Sequence, residues 1–258
     1  MQRLLPRSSS RYVSPTPPRI LAHRGFALET PENTLLAFAK ALALGVTHLE
    51  TDVRASLDGV AVLSHDADLL RLAGRRVRVD QLRLAELARV DLGDGQTYCS
   101  LAEALDAFGE ARFNIDIKSK DAVLPTVAAI LSANATARVL VTSFSDARRI
   151  AAVRRLPGVA TSASSRRFVA AIAAAKLGIT PLLRRVLRDI DVVQAPEFLR
   201  GVLVVTRRTV RLLHAAGVEV HVWTVNDVSA MNRLLDRGVD GLVTDRPDLA
   251  IEVVSNRR

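Results

Sequence analysis

Two acidic residues are separated by a single residue in a segment that is otherwise rich in apolar residues. In the stretch LETDV, Glu50 and Asp52 are separated by a single threonine. Residues two apart in a β-strand point to the same face, so a strand here places both carboxylates side by side. Such carboxylates repel each other unless one is protonated or a cation lies between them. The spacing therefore indicates either a cation site or surface ion pairs with Arg or Lys, and the pair alone does not decide between them.

A second apolar segment, NIDIK, repeats this arrangement with Asp116 and Lys118 on one strand face. If the two segments are neighbouring strands, Glu50, Asp52 and Asp116 meet at one sheet edge. Carboxylate oxygens are the ligands that Mg²⁺ and Ca²⁺ prefer, with positions left open for water and substrate. The three acids together predict a site for a divalent cation.

Two histidines follow short strand-like runs beside charged neighbours, His23 in AHRG and His65 in SHD. Histidine side chains on elements that converge above the same acids supply the general acid and base of a hydrolysis near neutral pH. Arg24 and Lys118 add fixed positive charge for a phosphate oxygen. Three acids, two histidines and two cations describe metal-assisted phosphoryl transfer.

The remaining histidines carry weaker signals. His48 is interpreted as a residue of a barrel interior or as a partner of the acids that follow it. His214 is predicted to face solvent from a helix, and His221 shares a strand face with Trp223 and is a minor pocket candidate.

These residues need a scaffold, and short β-branched runs alternate with amphipathic stretches along the chain, which favours βα units and a parallel sheet. Eight runs are predicted as strands: RILAHRG, HLETDVR, RFNIDIK, RVLVTSF, VATSAS, DVVQAP, VEVHVWTV and DGLVTD. Seven stretches between them are predicted as helices: ENTLLAFAKALALG, SLAEALDAFG, LPTVAAILSANA, SDARRIAAVRRL, RFVAAIAAAKLG, TRRTVRLLHAAG and VSAMNRLLDRG. Eight strands with helices between them predict an α/β fold, the closed (β/α)8 TIM barrel, whose sites lie at the carboxyl ends of the strands.

The alternation is interrupted once, after the second strand. Residues of about 55–99 contain DG and GDG turn signals and an extra short strand, VAVLSHD. We predict a small insertion here, above the carboxyl ends of the strands. Before the first helix, Thr30 is predicted as the N-cap and Pro31 as the first helical residue.

The composition is that of an ordinary globular protein: 258 residues, 49% hydrophobic and 24% charged. Residues 1–18 are predicted as a disordered leader, with Arg and Ser but no apolar segment of signal-peptide length, and residues 19–258 as one domain. An organellar transit peptide is the alternative interpretation of the leader. Cys99 is the single cysteine, which excludes an intramolecular disulfide and favours a reducing cytoplasm.

The formal net charge of +9 is concentrated in residues 147–211, where 14 Arg or Lys stand against three acids. Few aromatic residues interleave with these cations, so we expect solvated helix faces that attract anions rather than a nucleic-acid surface.

Several motifs resemble those of one family. The stretches AHRG, PENT, LETDVRASLDGVAVLSHD, NIDIK, VWTVN and DGLVTDRPD occur in the order and at about the spacing found in glycerophosphodiester phosphodiesterases. The resemblance runs from about residue 20 to 250. It implies a TIM barrel with a small insertion after its second strand, and hydrolysis of glycerophosphodiesters to sn-glycerol 3-phosphate and an alcohol.

The same resemblance implies roles for individual residues. His23 and His65 become the catalytic acid/base pair, and Glu50, Asp52 and Asp116 the ligands of one divalent cation, Mg²⁺ or Ca²⁺. Phosphate contacts fall on Arg24 and Lys118, and Trp223 becomes a pocket wall beside the leaving alcohol. Two features depart from the family pattern: Asp116 stands where glutamate is usual, and LLRLAG lacks the threonines that commonly follow the arginine corresponding to Arg71.

Two other functions stay open at this point. The first is a phospholipase, lysophospholipase D-like or acting on phosphoinositides, which uses the basic half for peripheral contact with an anionic membrane. The second is a barrel without catalysis that binds an anionic partner. We expect a small-molecule glycerophosphodiester as the main partner and no nucleic acid.

Overall fold

Eight parallel strands form the inner layer of the protein in a computed structural model, which describes residues 10–14 and 16–257. The strands are β1 (Arg19–His23), β2 (His48–Ala55), β3 (Arg112–Ile117), β4 (Val139–Thr142), β5 (Ala160–Thr161), β6 (Val192–Ala195), β7 (Glu219–Val222) and β8 (Gly241–Thr244). Their order in the sheet is β5-β4-β3-β2-β1-β8-β7-β6. A parallel bridge between Ser162 and Val192 joins the two ends of this order. The predicted TIM barrel is confirmed.

Helices cover the outside of the barrel. The longer ones are Leu35–Ala43, Leu101–Ala107, Val123–Ser132, Asp146–Val153, Ser165–Leu177, Thr180–Val186, Arg207–Ala215, Val228–Asp236 and Pro247–Ser255. Each of the seven predicted helical stretches overlaps one of these helices, and the helices at 180–186 and 247–255 add to them. Their apolar faces pack on the strands in two large clusters. Among the described residues, we find no helix with the length and apolarity needed to span a lipid bilayer.

The start of the first helix differs from the prediction. Thr34, not Thr30, is the N-cap: its hydroxyl accepts a hydrogen bond from the backbone N–H of Ala37, and the helix begins at the next residue. Both threonines suit an N-cap, but residues 31–33 form a turn in which the Asn33 side chain accepts a hydrogen bond from Thr51 Oγ1 at 2.7 Å. This tertiary contact keeps the PENT motif out of the helix.

The insertion lies between β2 and the helix at 101–107. Its strand Ala61–Leu63 pairs antiparallel with the end of β2. The other elements are the hairpin Asp68–Leu69 and Arg75–Arg78, the short helices Leu70–Ala73 and Leu84–Leu87, and the 3-10 helix Val79–Gln81. A separate small apolar cluster, which includes Val62, Leu69 and Leu87, stabilises it. Elsewhere, the 3-10 helix Thr136–Arg138 precedes β4, and the hairpin Phe198–Leu199 and Val202–Leu203 follows β6.

Residues 10–14 close the amino-terminal end of the barrel. Arg11–Val13 form a 3-10 helix, and the fully buried Tyr12 packs with Leu140 and Val192 inside the barrel. The prediction of a disordered leader over residues 1–18 is therefore wrong for this part, because one aromatic side chain anchors it in the core. Residues 1–9 and 15 lie outside the described residues.

Replacing Tyr12 by alanine is expected to lower the free energy of unfolding by about 3 kcal/mol, because it leaves a cavity among fully buried side chains. Urea unfolding followed by circular dichroism measures this change. Arg11→Ala is the matched control: its side chain is 64% exposed and pairs only with the exposed Glu110, so the effect should stay within about 0.5 kcal/mol. Equal stabilities of the two variants would contradict this role of Tyr12.

Three histidines lie away from the carboxyl-terminal end of the barrel. His48 is buried inside the barrel, where its Nε2 donates to the backbone oxygen of Tyr12, and burial lowers the pKa of His48 to about 3. His221 is also fully buried and pairs with Glu219 at 3.2 Å, so it is no pocket wall. His214, predicted to face solvent, is half-buried and lies 2.6 Å from the Asp240 carboxylate.

Candidate active site

The register of three neighbouring strands brings the predicted acids together. His23 on β1 lies beside Glu50 on β2, and Asp52 on β2 lies beside Asp116 on β3. The alternation of the strands directs these side chains into the barrel. The prediction that NIDIK and LETDV are adjacent strands is confirmed.

These side chains line a cavity of about 360 Å³. The cavity contains all eight site residues that the sequence predicted: His23, Arg24, Glu50, Asp52, His65, Asp116, Lys118 and Trp223. His65 reaches it because the strand Ala61–Leu63 pairs with β2 and ends beside it. The insertion thus contributes a histidine to a site that the barrel strands otherwise build.

The HRG motif forms a tight corner at the end of β1. Arg24 has a φ of +57° and Gly25 a φ of +91°, which is the left-handed region that favours glycine. A Cβ atom on Gly25 would lie 2.7 Å from the backbone carbon and the Cβ of Ala37. The corner directs the backbone N–H of Arg24 to Glu50, donating to its carbonyl at 3.0 Å. Strained backbone of this kind is frequent at functional sites.

Two cations surround the buried Asp52 carboxylate. Lys118 Nζ lies 2.7 Å from Asp52 Oδ1 and 2.7 Å from Asp116 Oδ2, and Arg24 Nε lies 3.1 Å from Asp52 Oδ2. Burial opposes ionisation of Asp52, but Lys118 and Arg24 outweigh it and lower its pKa. For Asp116 the balance is reversed, and burial raises its pKa despite Lys118. The sequence spacing left ion pairs with Arg or Lys as the alternative to a cation site. Such ion pairs are present, but they lie inside the site rather than on the surface.

Glu50 has weaker support from positive charge. Burial and the neighbouring Asp52 raise the pKa of Glu50 to about 8. His23 Nε2 lies 3.9 Å from Glu50 Oε2. Burial disfavours the imidazolium of His23, but Glu50 and Asp245 outweigh burial and raise its pKa. This corner of the site has an excess of carboxylate over positive charge.

Each site histidine is oriented by an aspartate. His23 Nδ1 lies 2.6 Å from Asp245 Oδ1, and His65 Nδ1 lies 2.8 Å from Asp66 Oδ1. A carboxylate only accepts at these positions, so Nδ1 carries the proton and Nε2 of each ring is left for the reacting groups. Asn226 donates to the second oxygen of Asp245 at 2.7 Å.

The donors of the site suit a divalent cation. Asp116 Oδ1 and the side-chain oxygen of Asn114 are buried and have no hydrogen-bond partner in the described part of the chain. Unpartnered buried oxygens beside ionised carboxylates fit a hard cation. Within residues 10–14 and 16–257, no three His, Cys, Asp or Glu side chains are arranged so that they could hold a metal ion together. Lys118 lies between Asp52 and Asp116 instead.

The far side of the cavity is apolar. Trp223 contacts Phe144 edge to face, with ring centroids 6.2 Å apart, and Lys118 Nζ lies 5.7 Å from the Phe144 centroid. Phe168 and Leu199 complete this wall. No sequence pattern indicates Phe144 or Phe168 as site residues, because each is a single aromatic residue outside the family motifs.

The groups that orient the histidines were also not predicted from the sequence. Asp66 and Asp245 stand inside the quoted motifs SHD and VTDRPD, and the position of Asp66 directly after His65 was the available signal. Asp245 is 222 residues from His23 in the chain. Only the closure of β8 against β1 brings this pair together.

Comparisons with known proteins agree with the fold and the motifs. The profile of the "Glycerophosphoryl diester phosphodiesterase family" matches residues 23–249. A Mycobacterium tuberculosis protein named "Probable glycerophosphodiester phosphodiesterase 2" is 45% identical over 239 residues, which cover 92% of this chain and 90% of that protein.

Two solved structures are similar over almost their full length. An Oleispira antarctica phosphodiesterase in complex with the product sn-glycerol-3-phosphate has 25% identity and a TM-score of 0.78, covering 93% of this chain and 97% of that one. A glycerophosphodiester phosphodiesterase from Thermotoga maritima has 28% identity and a TM-score of 0.67, covering 91% and 97%. From its profile match and its close relative, the chain belongs to the glycerophosphoryl diester phosphodiesterase family.

Proposed function

We propose that the protein hydrolyses glycerophosphodiesters to sn-glycerol 3-phosphate and an alcohol. One observation supports this most strongly: His23 and His65, each oriented by an aspartate, line the same cavity as three buried carboxylates and two cations. The product-bound Oleispira relative agrees with this choice of substrate. Hydrolysis of a phosphodiester needs a proton acceptor, a proton donor and positive charge near the phosphate, and the cavity supplies all three.

Arg24 and Lys118 are the groups that would bind the phosphate. Ion pairs with Asp52 hold both side chains in position. They therefore need little rearrangement when a phosphate oxygen becomes more negative during attack. A bound phosphate would compete with Asp52 for these two cations.

The two histidines would divide the proton transfers. Nε2 of one takes the proton of the nucleophile, which is water or the substrate's own 2-hydroxyl group, as the new P–O bond forms. Nε2 of the other donates a proton to the alkoxide as the old P–O bond breaks. With the 2-hydroxyl as nucleophile, a cyclic phosphate forms first and water opens it in a second step.

Glu50, Asp52 and Asp116 would hold one divalent cation, Mg²⁺ or Ca²⁺. Its chemistry is to neutralise phosphate charge and to lower the pKa of a bound hydroxyl or water. The raised pKa of Glu50, about 8 without such a cation, is consistent with this assignment. Asp116 is one methylene shorter than the glutamate usual in the family. It would bind the cation directly only if β3 lies closer to it, and otherwise through a water molecule.

The apolar wall favours one second candidate, a phospholipase of the lysophospholipase D or phosphoinositide type. Phe144 and Val169 line the cavity and are more than half exposed at its mouth. An acyl chain could lie on such a surface. This alternative includes peripheral contact with an anionic membrane. Neither candidate function specifies an oligomeric state.

The experiment is phosphorus NMR of the products from glycerophosphocholine, glycerophosphoethanolamine, glycerophosphoinositol and lysophosphatidylcholine. Release of glycerol 3-phosphate from the deacylated diesters supports the proposal. Cleavage of lysophosphatidylcholine alone, with release of lysophosphatidic acid, would support the phospholipase instead. No cleavage of any of these four diesters would refute the proposal and the lysophospholipase D alternative.

A further inference from the structure

An arginine of the insertion connects the two loops that hold His65 and Arg24. Arg71 lies in the short helix Leu70–Ala73. Its Nε donates to Asp66 Oδ2 at 2.6 Å. Its two terminal nitrogens donate to the two carboxylate oxygens of Glu32 at 3.0 and 2.6 Å. One guanidinium thus uses three donors on two carboxylates from different loops.

Both carboxylates contact site residues with their remaining capacity. Asp66 Oδ1 accepts from His65 Nδ1 at 2.8 Å. Glu32 Oε1 accepts from Arg24 Nη1 at 3.0 Å. Arg71 is therefore two contacts away from a histidine on one side and from a phosphate-binding cation on the other.

Arg71 does not belong to the cavity wall. Among the described residues, neither Arg71 nor Asp66 nor Glu32 lines the cavity. The side chain of Arg71 is 48% exposed, whereas that of Glu32 is 16% exposed. The guanidinium therefore lies outside the cavity.

The backbone of His65 is held independently. Arg54 donates from Nε and Nη2 to the carbonyl oxygen of His65 at 3.0 and 2.9 Å. Loss of Arg71 should therefore loosen the imidazole and the Nη1 side of the Arg24 guanidinium, whose Nε still pairs with Asp52, without unfolding the loop.

We propose that Arg71 is a positioning residue that fixes the His65 ring, through Asp66, and the Arg24 guanidinium, through Glu32, relative to each other. The planar guanidinium suits this task because it binds a carboxylate with two nitrogens and still has a third donor. A lysine ammonium keeps the charge but not this fork. The kinetic part of this inference rests on the proposed function.

The kinetic test compares Arg71→Ala and Arg71→Lys with Arg78→Ala. Arg78 is the matched control, because it lies in the same insertion and binds the exposed Asp80 with two nitrogens, away from the site. Loss of a residue that orients a site group typically reduces activity about 10–100-fold. We expect such a loss of kcat/KM for Arg71→Ala, a smaller loss for Arg71→Lys, and activity within about twofold of wild type for Arg78→Ala.

Two readouts separate positioning from a general structural role. Free guanidinium should restore a large part of the activity of Arg71→Ala, because the site of the lost group is open to solvent. Nitrogen NMR of the imidazole should show His65 protonated at Nδ1 in the wild type and in Arg78→Ala, and a mixture of tautomers in Arg71→Ala. Melting temperatures should differ little among the variants.

The inference is overturned if Arg71→Ala keeps kcat/KM within about twofold of wild type, if guanidinium restores nothing, or if the His65 tautomer is unchanged. If the wild type hydrolyses no diester, the proposed function has failed, and the NMR comparison alone decides the role of Arg71. The Arg71→Lys protein serves for the same spectra if Arg71→Ala does not fold.

Discussion

We expect His23→Ala and His65→Ala each to lower kcat by about 10³-fold, because each removes a general acid or base. Both side chains are on the surface of the cavity, 19% and 37% exposed, so their truncation leaves no large hole in the core. The variants should keep the melting temperature and the circular dichroism of the wild type. Steady-state release of glycerol 3-phosphate from glycerophosphocholine measures the effect.

Substrates with different leaving groups distinguish the histidine that acts as general acid from the one that acts as general base. A diester of p-nitrophenol needs little protonation of its leaving group, so it should restore most of the activity of the variant that lacks the general acid. The variant that lacks the base should stay slow with both substrates. His214→Ala is the control, because His214 lies on an outer helix beside Asp240. Near-normal turnover by both site variants would refute the assignment of these histidines.

Asp52→Asn is expected to show the second large effect. Asp52 is 1% exposed and pairs with both Arg24 and Lys118. Removing its charge leaves two partly buried cations with less compensation and removes one proposed metal ligand. Removing one partner of a buried ion pair costs about 4 kcal/mol. If the transition state loses stabilisation of the same size, kcat/KM falls by about 10³-fold.

Metal binding gives a readout that does not depend on turnover. Calorimetry with Mg²⁺, Ca²⁺ and Mn²⁺ should show weaker binding to Asp52→Asn and to Asp116→Asn than to the wild type. Asp80→Asn, at an exposed ion pair in the insertion, should bind like the wild type. Equal metal affinity in all four proteins would contradict a cation site at these carboxylates.

The part of the site that was predictable from sequence depends on local geometry. Glu50 with Asp52, and Asp116 with Lys118, share faces because side chains alternate along any strand. The eight strands and the seven helices between them also follow from local patterns, and they place the ends of neighbouring strands at one rim. Periodicity and order along the chain therefore suffice to bring these acids together.

The part that was missed depends on contacts between distant segments. Tyr12 lies in a short stretch rich in Ser and Pro, where nothing local shows that one aromatic ring enters the barrel. Thr30 and Thr34 are equal candidates for an N-cap, and the bond from Thr51 to Asn33 decides between them. The link from Glu32 to Arg71 crosses 39 residues, and no spacing rule predicts it.

The central claim is tested most directly with the metal-stripped protein. Glycerol 3-phosphate release from glycerophosphocholine is measured with Mg²⁺, Ca²⁺, Mn²⁺ or chelator added, and with His65→Ala as the blank. We expect release that requires a divalent cation, and the most active ion is the one that the Asp116 site prefers. Release at the same rate with chelator would contradict the metal assignment. No release with any cation, from glycerophosphocholine or from the other deacylated diesters of the phosphorus NMR panel, would contradict the proposed reaction.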